Sequence, residues 1–71
     1  MIKYVIIGFN NPNINKGTAD LTVLCQRDGQ LWWKPIIPGE ERVDWFTFDD
    51  WDDAHVFSES YDNVVVYGVH I

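Results

Sequence analysis

The chain predicts a small α+β domain, an antiparallel-rich sheet of four to five strands with one helix on one face, in the order β-β-β-(β)-α-β. Three observations predict it. Two runs of branched and aromatic residues lie at 2–9 and 63–71, a two-residue turn pair Asp28-Gly29 sits between two apolar segments, and one apolar stripe of helical spacing precedes the last run. Seventy-one residues allow one domain, 1–71, with a thin core. Four Trp, four Phe and three Tyr give an aromatic share of 15%, enough large side chains to build most of such a core.

Taken in order, Ile2-Lys3-Tyr4-Val5-Ile6-Ile7-Gly8-Phe9 reads as a strand. Its near-continuous apolar character predicts a central position covered on both faces, and the same reading applies to 63–71. Residues 10–18 are rich in Asn, with Pro and Gly, and predict a loop. Residues 19–27 predict a strand, and Asp28-Gly29 predicts a tight hairpin to 30–37 because both residues tolerate the left-handed conformation such a turn demands. Pro38-Gly39 predicts the next turn, and the alternation of 42–46 a short strand. Trp51, Ala54, Phe57 and Tyr61 form one stripe and predict a helix over 48–60, packed on the sheet through Trp51, Ala54 and Phe57. Thr47 is placed to cap it, with Asp50 at the third helical position.

The hairpin register carries a further expectation. A two-residue turn at 28–29 places Cys25 opposite Trp32 and Leu24 opposite Trp33. Neighbouring strand residues point to opposite faces, so Trp32 and Trp33 cannot share one core. One is expected under the helix or under 36–46, the other at least partly exposed. One short helix covers one face only, so the second face is either covered by 36–46 or 10–18 or left as an apolar patch for a partner or a second copy.

Charge is segregated. Residues 1–39 carry +2, residues 40–62 carry −8 and residues 63–71 carry none. An acidic chain is repelled by phosphates, so neither direct nucleic-acid binding nor an anionic membrane surface is expected. No apolar run reaches the roughly 20 residues of a bilayer span. A single cysteine, Cys25, excludes an intrachain disulfide and a two-cysteine zinc site, which predicts a cytoplasmic protein, in the host cytoplasm if it is viral.

Chemistry-bearing patterns are weak. Asp49 and Asp53 fall at i and i+4, and Asp52 and His55 at i and i+3, but the glycine and later glutamate of a calcium loop are missing. The four aspartates are explained by the favourable potential at a helix start. His55 and His70 form no ligand pair, Ser58 and Ser60 lack a nucleophile's turn, and Lys16-Gly17-Thr18 has the wrong order and spacing for a phosphate loop. No catalytic residue, metal or cofactor is therefore expected, and the chain does not read as an enzyme. The short, acidic, Trp-rich style resembles accessory proteins of bacterial viruses, which implies an inhibitor or adaptor of a host protein. The reading is a non-catalytic protein that binds a protein partner or itself, a homodimer included, through Trp32, Trp33, Trp45, Asp49, Asp50, Asp52 and Asp53. The alternatives are a nucleic-acid mimic using the 40–62 carboxylates and, after it, a small ligand- or metal-binding protein or small enzyme.

Overall fold

A computed structural model of the chain describes residues 1–9, 21–37, 39 and 41–70. The elements are β1 (Ile2–Phe9), β2 (Leu21–Arg27), β3 (Gln30–Pro35), α1 (Trp51–Ser58) and β4 (Val64–His70). The strands form one antiparallel sheet of order β3-β2-β1-β4, so the α+β class and the element order are as the sequence predicts. The 10–18 loop, residues 19 and 20 of the second strand and Pro38 lie outside the described residues.

The hairpin turn forms at Asp28 (φ 52°) and Gly29 (φ 79°). Both residues are left-handed, the requirement of a turn whose twist matches the flanking strands. The register follows from it: Cys25 faces Trp32 and Leu24 faces Trp33. β3 ends at Pro35, and one further bond, from Ile36 N–H to Leu21 O at 3.1 Å, closes its pairing with β2.

The 42–46 segment is not a strand, and its true role is more specific. β1 and β2 pair only at Ile7–Val23, Gly8–Thr22 and Phe9–Leu21, and beyond that point they diverge. Residues 44–48 fill the gap. Gln26 N–H donates to Asp44 O at 2.8 Å and Phe46 N–H to Leu24 O at 3.0 Å, on the β2 side. Tyr4 N–H donates to Phe48 O at 2.9 Å and Phe48 N–H to Tyr4 O at 2.8 Å, on the β1 side. The segment changes partner after two residues, so it registers as two isolated bridges, Cys25–Trp45 and Tyr4–Phe48. It satisfies backbone groups that the split would otherwise leave buried and unpaired.

This insertion also explains the later start of the helix. Phe48 is held in the sheet, so winding cannot begin at 48. Asp50, extended at φ −128°, is the N-cap in place of Thr47, and its carboxylate accepts from Asp52 N–H at 3.3 Å. Asp52 and Asp53 occupy the first turn, where the helix dipole favours them. After Ser58 the chain unwinds through turns in which Tyr61 N–H donates to Ser58 O at 3.0 Å, and Asn63 (φ 56°) redirects it into β4. Residues 45–48 and β4 thus flank β1 on opposite sides, both antiparallel to it, with α1 crossing between them.

The sheet is covered on both faces, by different means. On the helix face lie Ile6, Leu24 and Ala54, all buried, with Phe46, Phe48, Phe57, Trp33 and Tyr61 as a half-buried aromatic layer. Phe57 is its hub, with ring centroids 5.3 Å from Phe46, 5.6 Å from Phe48 and 6.1 Å from Tyr61. On the opposite face Val5, Ile7, Val23, Cys25 and Val69 form a second cluster, covered by Ile36 and Trp45. Ile36 and Trp45, from the two ends of the 36–46 segment, therefore do cover this face. Two further expectations are corrected. Trp51 is 45% exposed, because at the first helical turn it points along the flank and stacks on His55, with centroids 4.7 Å apart. β4 is an edge strand and not a central one, so its alternate residues Val65 and Tyr67 stay in water.

Candidate functional site

Strand alternation assigns the tryptophans to opposite faces. Trp33 lies on the helix side and meets Tyr61 edge to face at 5.4 Å. Trp32 lies on the other side beside Cys25 and is 37% exposed. The expected division onto opposite faces is observed, with Trp32 partly exposed, but Trp33 is half-buried where full burial was expected. Trp45 is half-buried over the Cys25 cluster, with the Arg42 guanidinium 5.5 Å from its ring centroid. It is a lid on the second core more than a free anchor.

The aspartates do not converge. Asp49 pairs with Lys3, Asp50 caps the helix, and Asp52 and Asp53 are solvated at its first turn. Asp44 is held by Arg27, whose Nε donates to Oδ1 at 3.1 Å. Among the described residues no group of three His, Cys, Asp or Glu side chains could hold a metal ion. His55 Nδ1 lies 3.6 Å from Glu59, a contact within one helix. Burial pushes the Cys25 thiol above its ordinary value, Asp44 adds to the rise and Lys34 opposes it. A raised thiol is a poor nucleophile at neutral pH. A shallow, open hollow is lined by Lys34, Pro35, Ile36, Ile37, Glu41 and Trp45 and is far too small for the roughly 300 Å³ or more of a usual small-molecule site.

The face opposite the helix carries the apolar patch that the sequence left open as an alternative, built largely from residues it did not single out. Its buried cluster is bordered by exposed apolar side chains from all four strands: Phe9, Leu21, Trp32, Val65 and Tyr67. Pairing fixes their common face, because Phe9 opposes Leu21, Ile7 opposes Val65 and Val5 opposes Tyr67. Ile36 and Trp45, half-buried against the same cluster, add apolar surface to this face. Apart from Trp32, none of these residues stands out in the sequence. The only available signal was the alternation of Lys3, Val5, Ile7 and Phe9, which has no direction until the strand order is known. Lys3 and Arg27 reach its rim already paired with Asp49 and Asp44.

No described helix is long and apolar enough to cross a membrane. Comparison with protein-family models, with curated proteins and with solved structures found no match.

Proposed function

We propose that the chain is a small non-catalytic binding protein, acting as an inhibitor or adaptor by docking a protein partner on the sheet face opposite its helix. The observation that carries this reading is the exposure of Phe9, Leu21, Trp32, Val65 and Tyr67 on that one face. A small domain gains nothing in stability from apolar side chains left in water, whereas aromatic anchors dominate protein interfaces. A mimic of the nucleic-acid backbone finds less support, since two of the four clustered aspartates are already engaged in the fold.

The test is affinity capture with quantitative mass spectrometry on four versions of the protein: unmodified, Trp32→Ala, Tyr67→Ala and Asp52→Asn/Asp53→Asn. Circular dichroism verifies that each is folded. A protein captured by the unmodified chain should be lost from the Trp32 and Tyr67 variants and kept by the aspartate variant. The opposite pattern, with capture weakening steeply as salt rises, refutes the apolar face and restores the acidic reading.

A further inference from the structure

The two edges of the sheet are unequal. β3 is the shorter, and Pro35 removes one of the N–H groups it would present outward. β4 has no such protection. The Tyr4–Phe48 bonds show that Tyr4 directs its backbone groups away from β4, so Lys3, Val5 and Ile7 direct theirs toward it, onto Val69, Tyr67 and Val65. Alternation then turns the backbone groups of Val64, Val66 and Gly68 outward, where they meet no partner among the described residues. At the far end of the strand Arg42 Nη1 donates to His70 O at 2.7 Å and closes the row. The open stretch is therefore bounded and runs from Val64 to Gly68.

Charge identifies the occupant. Each copy carries −6, yet residues 63–71 carry no formal charge. A basic partner would find no counter-charge on this strand, and an acidic one no attraction. A second copy of the same strand meets neither obstacle at the contact, and its repulsion is confined to charges farther away.

We propose that β4 is a self-docking edge, which pairs antiparallel with β4 of a second copy and extends one sheet through both chains. Val66 sits on the two-fold axis and exchanges both backbone bonds with its counterpart, while Val64 faces Gly68 of the second copy on either side. This is the only antiparallel register that uses all three outward residues and stays clear of the Arg42-bound end. Such pairing is isologous and closes after two copies. It also brings Val65 against Tyr67 of the second copy, on the face opposite the helix. In this non-hydrogen-bonded position side chains approach most closely, and a branched residue against an aromatic one is a favourable cross-strand pair. The inference concerns the backbone edge and stands whether or not a partner docks on the sheet face.

The experiment is sedimentation velocity over a wide range of protein concentration, joined to amide hydrogen exchange of the same samples. The chain should dimerise, and the amides of Val64, Val66 and Gly68 should be protected at high concentration and exchange freely on dilution. Raising salt should tighten the dimer several-fold, because screening weakens repulsion between two −6 bodies while the uncharged contact is unaffected. Val65→Glu, at a half-exposed position, should weaken it by on the order of tenfold or more, because it places two carboxylates beside the axis and adds to the repulsion between two acidic bodies. Trp32→Ala, across the sheet on β3, should leave it unchanged. A protein that stays monomeric at every soluble concentration overturns the proposal. So does a dimer whose β4 amides exchange freely, one that salt weakens, or one that Trp32→Ala dissociates.

Discussion

Replacing Phe57 with alanine should cost about 3 kcal/mol, near the lower end for truncating a core phenylalanine. The lower end applies because Phe57 is half-buried. It applies also because part of the loss is in ring contacts with Phe46, Phe48 and Tyr61, which can settle partly into the space. A domain of this size has roughly 3–5 kcal/mol in all, so the variant should be barely folded at room temperature. At roughly 4–8 °C per kcal/mol the thermal midpoint should fall by about 15 °C. Trp51→Ala, six residues earlier, should cost only about 1 kcal/mol despite removing a larger ring, because that ring stacks on its own helix at His55. Val56→Ala, at a position 66% exposed, is the blank. Urea and thermal denaturation followed by far-ultraviolet circular dichroism measure all three on one helix. If Trp51→Ala proves as damaging as Phe57→Ala, the helix is anchored by its first turn and the aromatic hub is misassigned.

Asp50→Ala should cost about 1 kcal/mol through loss of the helix cap, whereas Asp50→Asn should be nearly silent in the same denaturation assay; equal losses would point to the charge and not to the cap. Gly29→Ala, at φ 79°, should cost about 1 kcal/mol from backbone conformation alone, since an added Cβ would meet nothing within 4 Å; an unchanged urea midpoint would refute that. Cys25 sets an alkaline limit. Its folded thiol titrates above the unfolded one, so its contribution is fully present below the unfolded value of about 8.5 and is lost as pH rises through the folded value. Stability should decline over that window, and a Cys25→Ala variant should lack that component of the decline.

Much of the fold was legible because local chemistry specified it. Asp28-Gly29 fixed the hairpin, the hairpin fixed the register, and the register put Trp32 and Trp33 on opposite faces before any tertiary contact was known. What remained hidden was non-local. That 44–48 lies in a split between β1 and β2 depends on a pairing with Tyr4 about forty residues earlier, and no property of the 44–48 sequence announces it. The same contact moved the helix start from 48 to 51 and the cap from Thr47 to Asp50. Composition also misled at β4, whose apolar run reads as a buried strand but lies at the edge. Of the candidate interface, Trp32 was legible, while Phe9, Leu21, Val65 and Tyr67 needed the strand order to become neighbours.

The threaded segment at 44–48 has a consequence for how the molecule assembles. Local contacts can form the β2–β3 hairpin early, since its closing loop is two residues, whereas β1 and β4 are joined across most of the chain and close against a larger entropic cost. Between these halves the direct ladder is only three residue pairs long, and residues 44–48 supply the rest by holding β2 at one end and β1 at the other. They act as a linchpin. Withdrawing them would strip partners from Leu24 and Gln26 on one side and Tyr4 on the other in a single event. The two halves of the sheet should therefore unfold together, as one cooperative unit in a seventy-one-residue chain with two thin cores.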